Sequence, residues 1–181
     1  MAEMQVALLR GINVGRAKRV AMADLRALVA DLGYGDVRTL LNSGNVVYSA
    51  PGVAPDEAAE RIEEAIRSRL GITSRVVVLT AADIAAAVAG SPLGDVADNP
   101  SRLFVAILRD PADRARLEPL AERDWGREVL ALGERVAYLW CPDGSMGSQL
   151  PDAVARVLGD AVTTRNWATL TRLHALTAGA G

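Results

Sequence analysis

The order of hydrophobic patterns predicts an α+β protein of two ferredoxin-like halves with antiparallel sheets, joined by a short helix and linker. Three observations carry this. Over residues 1–80, strand-like and helix-like apolar patterns follow one another as β-α-β-β-α-β, the split β-α-β order of a ferredoxin-like domain. The same order returns over residues 101–181. The halves also share a phrase, Val6-Ala7-Leu8-Leu9-Arg10 against Val105-Ala106-Ile107-Leu108-Arg109, each as a first strand. A repeated element order with a shared phrase points to a duplicated domain.

Met4 to Arg10 reads as a buried strand, and residues 11–21 as a basic loop. Met22, Leu25, Leu28, Val29 and Leu32 recur at helical spacing, with Gly33 as the stop. Val37–Leu41 and Val46–Tyr48 are short strands around the turn Asn42-Ser43-Gly44-Asn45. Pro55, then Asp56 and Glu57, suit a helix first turn; Ala58, Ile62, Ala65 and Ile66 form its apolar stripe, and Gly71 ends it. Arg75–Leu79 closes the first half as a strand.

Residues 81–100 form the connecting helix and linker. Thr80 and Asp83 resemble a capping box, and Gly90, Pro92, Gly94, Asn99 and Pro100 break the chain. In the second half, Leu103–Arg109 is a strand, and Asp110-Pro111 caps a helix that Pro119 should limit near Glu118. Glu128–Leu132 and Arg135–Trp140 are strands around Gly133-Glu134. Leu150, Val154, Val157 and Leu158 mark a helix stopped by Gly159. Ala161–Thr163 reads as the last strand, and Asn166 to about Leu176 as the last helix.

Half of the 181 residues are hydrophobic, which excludes a disordered chain, and only 4% are aromatic, so the core must be aliphatic. The net charge of −2 argues against a strongly electrostatic nucleic-acid binder. Cys141 is the one cysteine, so no internal disulfide forms. No signal peptide or membrane-length apolar run is legible, and a cytoplasmic protein without a membrane partner is expected.

A single histidine, His174, and a single cysteine argue against a zinc or copper site, and no cofactor is expected. Cys141, between an apolar strand and Pro142, reads as a structural thiol rather than a nucleophile. Gly11-Ile12-Asn13-Val14-Gly15 can turn backbone N–H groups toward an anion. Arg10, Arg16, Lys18 and Arg19 place four cations around it. Asp143-Gly144-Ser145-Met146-Gly147-Ser148 precedes a helix and reads either as a phosphate cradle or as a loop capped by Ser148. In Thr164-Arg165-Asn166-Trp167, Asn166 reads as a helix cap, Trp167 as core-facing and Arg165 as free to reach a partner. A ferredoxin-like topology is expected to put the end of the first strand and the Asn42–Asn45 turn at opposite ends of the sheet unless the loop folds back, which leaves open whether the two stretches meet.

Taken together, several stretches resemble the domain-of-unknown-function family DUF1697 of bacterial proteins. They are Val6-Ala7-Leu8-Leu9-Arg10-Gly11-Ile12-Asn13-Val14-Gly15, Met22-Ala23-Asp24-Leu25-Arg26, Leu32-Gly33-Tyr34, Val37-Arg38-Thr39, Ser43-Gly44-Asn45-Val46-Val47 and Thr164-Arg165-Asn166-Trp167. The resemblance implies a two-part α+β fold and no established activity. Two departures stand out: Arg16 replaces a glycine usual in the family, with Ala17-Lys18-Arg19 in place of a lysine–asparagine pair, and Asn42 stands where glutamine is common.

The expected function is a binding module for an anionic ligand, a nucleotide or short single-stranded nucleic acid, in a cleft between the halves. Arg10, Asn13, Lys18, Asn45, Arg165 and Asn166 are its candidate residues. Two other classes fit the sequence. One is an enzyme acting on a phosphorylated or carboxylated small molecule, with Asp24 or Asp143 as candidate base. The other is a non-catalytic scaffold or oligomerising protein.

Overall fold

The computed structural model describes residues 3–94 and 97–179. Contacts group Met1–Ala82 with Leu173–Gly181 as one unit and Asp83–Arg172 as the other. Each carries a four-stranded antiparallel sheet with helices, a ferredoxin-like half.

In the first unit, β1 (Met4–Leu9) lies inside the sheet, antiparallel to β3 (Asn45–Ser49) on one side and to β4 (Val76–Thr80) on the other. With β2 (Gly35–Leu40) the order is β2-β3-β1-β4. Every residue of β1 is buried, as an inner strand between two neighbours requires, and its one polar member, Gln5, donates through Nε2 to the Val53 carbonyl at 2.7 Å. Ala7 and Leu9 point to the core formed with α1 (Met22–Asp31) and α2 (Pro55–Leu70). Leu25, Leu28 and Val29 of α1 and Ala58, Ile62, Ala65 and Ile66 of α2 fill that core. Each fully buried Leu, Ile or Val side chain among them contributes about 1.5–3 kcal/mol of transfer free energy. Tyr34 stacks on Tyr48 at 5.0 Å. Gly71, in the left-handed region, closes α2 with its N–H on the Arg67 carbonyl at 3.1 Å. The β2–β3 register shifts between Gly35 and Arg38, where Asp36 has φ +49°.

The second unit opens with most of α3 (Ala81–Ala89). Its sheet combines β5 (Leu103–Leu108), β6 (Val129–Leu132), β7 (Val136–Trp140) and β8 (Val162–Asn166) in the order β6-β7-β5-β8, the first half's order repeated. A 3-10 turn at Pro111–Asp113, α4 (Arg114–Ala121) and α5 (Leu150–Leu158) complete it before α6 (Trp167–Ala178).

Two sequence expectations need correction. Pro119 does not end α4, which continues to Ala121. The proline removes one hydrogen bond, to the carbonyl of Ala115, and both residues are exposed, so water can take the freed group. The last strand is also displaced, running over Val162–Asn166 rather than residues 161–163. Pairing with β5 persists through Asn166, opposite Phe104, and keeps the chain extended to that point.

Candidate functional site

Polar, turn-forming residues of the first half converge at one end of its sheet. β1 and β2 are each antiparallel to β3, so those two strands run parallel; the loop after β1 and the β2–β3 turn therefore leave the sheet at the same end. The expectation of opposite ends is overturned. Leu9 donates its N–H to the Gly44 carbonyl at 2.9 Å, and Asn13 Nδ2 donates to the Asn42 carbonyl at 2.7 Å. The segment before β4 joins them: Arg10 N–H donates to the Arg75 carbonyl at 2.9 Å, and Ser74 Oγ to the Arg10 carbonyl at 2.8 Å. Gly44 is required here. With φ +86°, a Cβ on it would stand 2.8 Å from both Leu9 Cβ and Ile12 Cδ1.

The Arg10–Lys18 loop is held from within. Asn13 sits at φ +54°; its Oδ1 accepts from Val20 N–H at 2.8 Å and its Nδ2 donates to the Val20 carbonyl at 2.9 Å. Lys18, at φ +50°, donates through Nζ to the Thr73 carbonyl at 2.8 Å. Asn45 is fully buried, and its Nδ2 donates to the Leu40 carbonyl and Ser43 Oγ, both at 2.9 Å. Asn13 and Asn45 thus frame the loops that carry the cations. Leu41, 51% exposed at φ +59°, and Val14, 68% exposed, flank the Asn13–Asn42 bond. Three of the four described non-glycine residues at positive φ, Asn13, Lys18 and Leu41, gather at this end. Such strain persists where surrounding structure enforces it, and it concentrates at binding sites.

Beside this loop lies an open depression of about 300 Å³ lined by Asn13, Arg19, Val20, Ala21, Met22 and Asn42. Its inner wall is the start of α1, whose N-cap residue is Ala21; no side chain caps it. Helix N-termini carry unpartnered N–H groups and a partial positive charge. The lining residues Arg19 and Asn42 are absent from the set that sequence reasoning selects. Their signal was nonetheless legible: Val20-Ala21-Met22 offers no Ser, Thr, Asp or Asn where a cap belongs.

The remaining two candidates belong to the second unit. Arg165 lies within β8, opposite Val105, and its guanidinium NH1 donates to Thr163 Oγ1 at 2.8 Å and to the Thr164 carbonyl at 2.9 Å. Burial brings its pKa down to about 10. Arg165 is therefore not free to reach a partner, contrary to the sequence expectation. Asn166 caps α6, its Oδ1 accepting from Thr169 N–H at 2.9 Å, and the Trp167 ring lies 6.4 Å from that of Tyr138.

The loop before α5 is organised by a buried chain of hydrogen bonds. Cys141 Sγ donates to Ser148 Oγ at 3.3 Å, and Ser148 Oγ donates to Glu128 Oε2 at 2.6 Å while accepting from Leu150 N–H at 3.1 Å. Burial pushes the Cys141 thiol up; the Ser148 bond opposes this and the Glu128 charge adds to it. Asp143, a candidate base, is exposed and pairs with Arg127 at 3.3 Å. Asp24 is exposed on α1.

An α+β chain of two ferredoxin-like halves with a cationic loop system at one sheet end defines the architectural class. The chain belongs to the DUF1697 family, described as proteins of unknown function, whose profile matches residues 2–138. A conserved bacterial protein from Streptococcus pneumoniae has a similar solved structure, with a TM-score of 0.79 and 19% identity over 98% of this chain and 99% of that one. At that identity the likeness shows the fold. Comparison with curated proteins gave no match. Among the described residues, no helix is long and apolar enough to cross a membrane.

Proposed function

We propose that the first half is a binding module for a phosphate-bearing ligand, a nucleotide or short single-stranded nucleic acid, held at the β1-end loop system. One observation carries the reading: a depression of about 300 Å³ opens on the uncapped N-terminus of α1 with Arg19 in its wall. Backbone N–H groups and a guanidinium facing the same space suit a phosphate. Lys18 adds an ammonium nearby that retains donors beyond the one given to Thr73. Bases would not stack on the sheet itself, because Val6, Leu8, Val77 and Leu79 on the face away from α1 and α2 are buried. Recognition therefore rests on the loops rather than on a sheet platform of the kind RNA-binding domains use.

A substitution pair tests this. Ala21→Asp would supply the missing cap, placing a carboxylate where the ligand anion is proposed to sit. It should raise stability by about 0.5–2 kcal/mol while abolishing anion binding. Arg19→Ala should weaken binding with little change in stability. Calorimetric titration with nucleotides, phosphosugars and short RNA at low and high salt reads both, and binding should weaken with salt. Anion binding that survives both substitutions would refute the reading.

A further inference from the structure

The second half holds a separate, more enclosed cavity of about 320 Å³ between α3 and the β6–β7 hairpin. Its floor is Tyr138, only 1% exposed, whose hydroxyl donates to the Ala87 carbonyl at 2.6 Å. Two glycines leave room for that ring. A Cβ on Gly133 would lie 3.0 Å from Tyr138 Cε2 and 3.4 Å from its hydroxyl; one on Gly90 would lie 3.5 Å from the hydroxyl and 2.9 Å from the Ala86 carbonyl. Ala86, Pro111 and Val136 make the walls apolar.

The rim is charged, and its balance is negative. Asp83 and Glu134 contribute two carboxylates, and Arg135 one guanidinium. Arg135 is turned into the fold: Nε donates to the Leu108 carbonyl at 3.0 Å, one terminal nitrogen to the Arg109 carbonyl at 3.1 Å, and the other to Asp83 Oδ2 at 3.3 Å. The C-terminal turn of α3 adds its partial negative charge beside the cavity, with Ala86, Ala87 and Gly90 in the lining.

We propose that this cavity binds a small molecule carrying a primary ammonium on a short apolar body, the ammonium facing Asp83 and Glu134 and the body lying over Tyr138 between the two glycines. The Tyr138 proton is committed to the Ala87 carbonyl, so the hydroxyl does not compete as a donor for the carboxylates. The site is independent of the anion site of the first half and opposite to it in charge preference.

Amide chemical-shift titrations of the full chain with n-butylamine, n-butanol and butyrate test it. Saturable shifts of Gly90 and Gly133 are expected with the amine, much weaker ones with the alcohol and none with the acid. Glu134→Gln, at an exposed position, should weaken amine binding roughly tenfold, the scale of one charge-assisted hydrogen bond. Ala86→Leu should abolish it by filling the cavity. Equal response to alcohol and amine, a preference for butyrate, or amine binding unchanged in both variants would each overturn the assignment.

Discussion

Asn13 and Asn42, 29 residues apart, are joined by a 2.7 Å hydrogen bond from the Asn13 amide to the Asn42 carbonyl, so a single side chain pins the β1-end loop to the β2–β3 turn. With its two bonds to Val20, Asn13 makes three loop contacts through one amide group. Asn13→Ala should cost about 1–3 kcal/mol, from unsatisfied backbone groups and from placing alanine at positive φ. Hydrogen exchange at the Val20 amide should accelerate more than exchange in β1. Unchanged protection at Val20 would show that the loop is held by other means.

Glycine at position 44 can be compared with glycine at 52. Both have positive φ, but a Cβ at 44 would strike Leu9 and Ile12, while one at 52 meets nothing within 4 Å. Gly52→Ala should therefore cost only the left-handed strain, roughly 1 kcal/mol. Gly44→Ala should cost at least about 1–3 kcal/mol more, the range for overpacking. Denaturant midpoints give the difference directly, and equal losses would contradict the close approach.

Pro119 sits in the interior of α4 on an exposed surface. Pro119→Ala restores a backbone donor aimed at the Ala115 carbonyl and removes a poor helix former. A gain of about 1–3 kcal/mol is expected, less than the full helix-interior penalty because proline also restricts the unfolded chain. A loss of stability would mean that the ring itself packs usefully.

Cys141 gives a pH signature. Burial raises its pKa above the ordinary 9.0, so the folded protein keeps the thiol protonated where the unfolded chain would ionise. Its contribution is fully present below that ordinary value and is lost as pH climbs from there through the raised value. Cys141→Ala should flatten the alkaline fall in unfolding free energy. Tyr48 and Tyr138, also raised by burial, should maintain a decline at higher pH. Native protein should resist iodoacetamide at neutral pH and react on unfolding; prompt native alkylation would contradict the burial.

Much of the fold is legible in one-dimensional patterns. The apolar run of β1, the stripe of α2 and the stop at Gly71 each depend on neighbours a few residues away. The position of the β2–β3 turn is misread from sequence because strand direction depends on pairing: β1 and β2 are each antiparallel to β3 and so run parallel, and neither pairing is displayed by spacing along the chain. At the candidate site, residue type draws attention to Asn13 and Asn45, whose amides frame the loops. Arg19 matters through its place beside an uncapped helix, which a missing residue signals more faintly than a present one. The cavity over Tyr138 is out of reach, since it depends on Gly90 and Gly133 both meeting one ring.

The irregular start of β2 bears on how the protein behaves at high concentration. β2 is an edge strand of the first sheet, and an edge backbone is a template for a strand from a neighbouring molecule. The register break between Gly35 and Arg38, with Asp36 turned into the left-handed region and both Asp36 and Arg38 exposed, interrupts that template at its entrance. A chain regularised here by deleting Asp36 would carry a longer, flatter edge, making it a better seed for intermolecular sheet growth and a poorer candidate for concentrated storage.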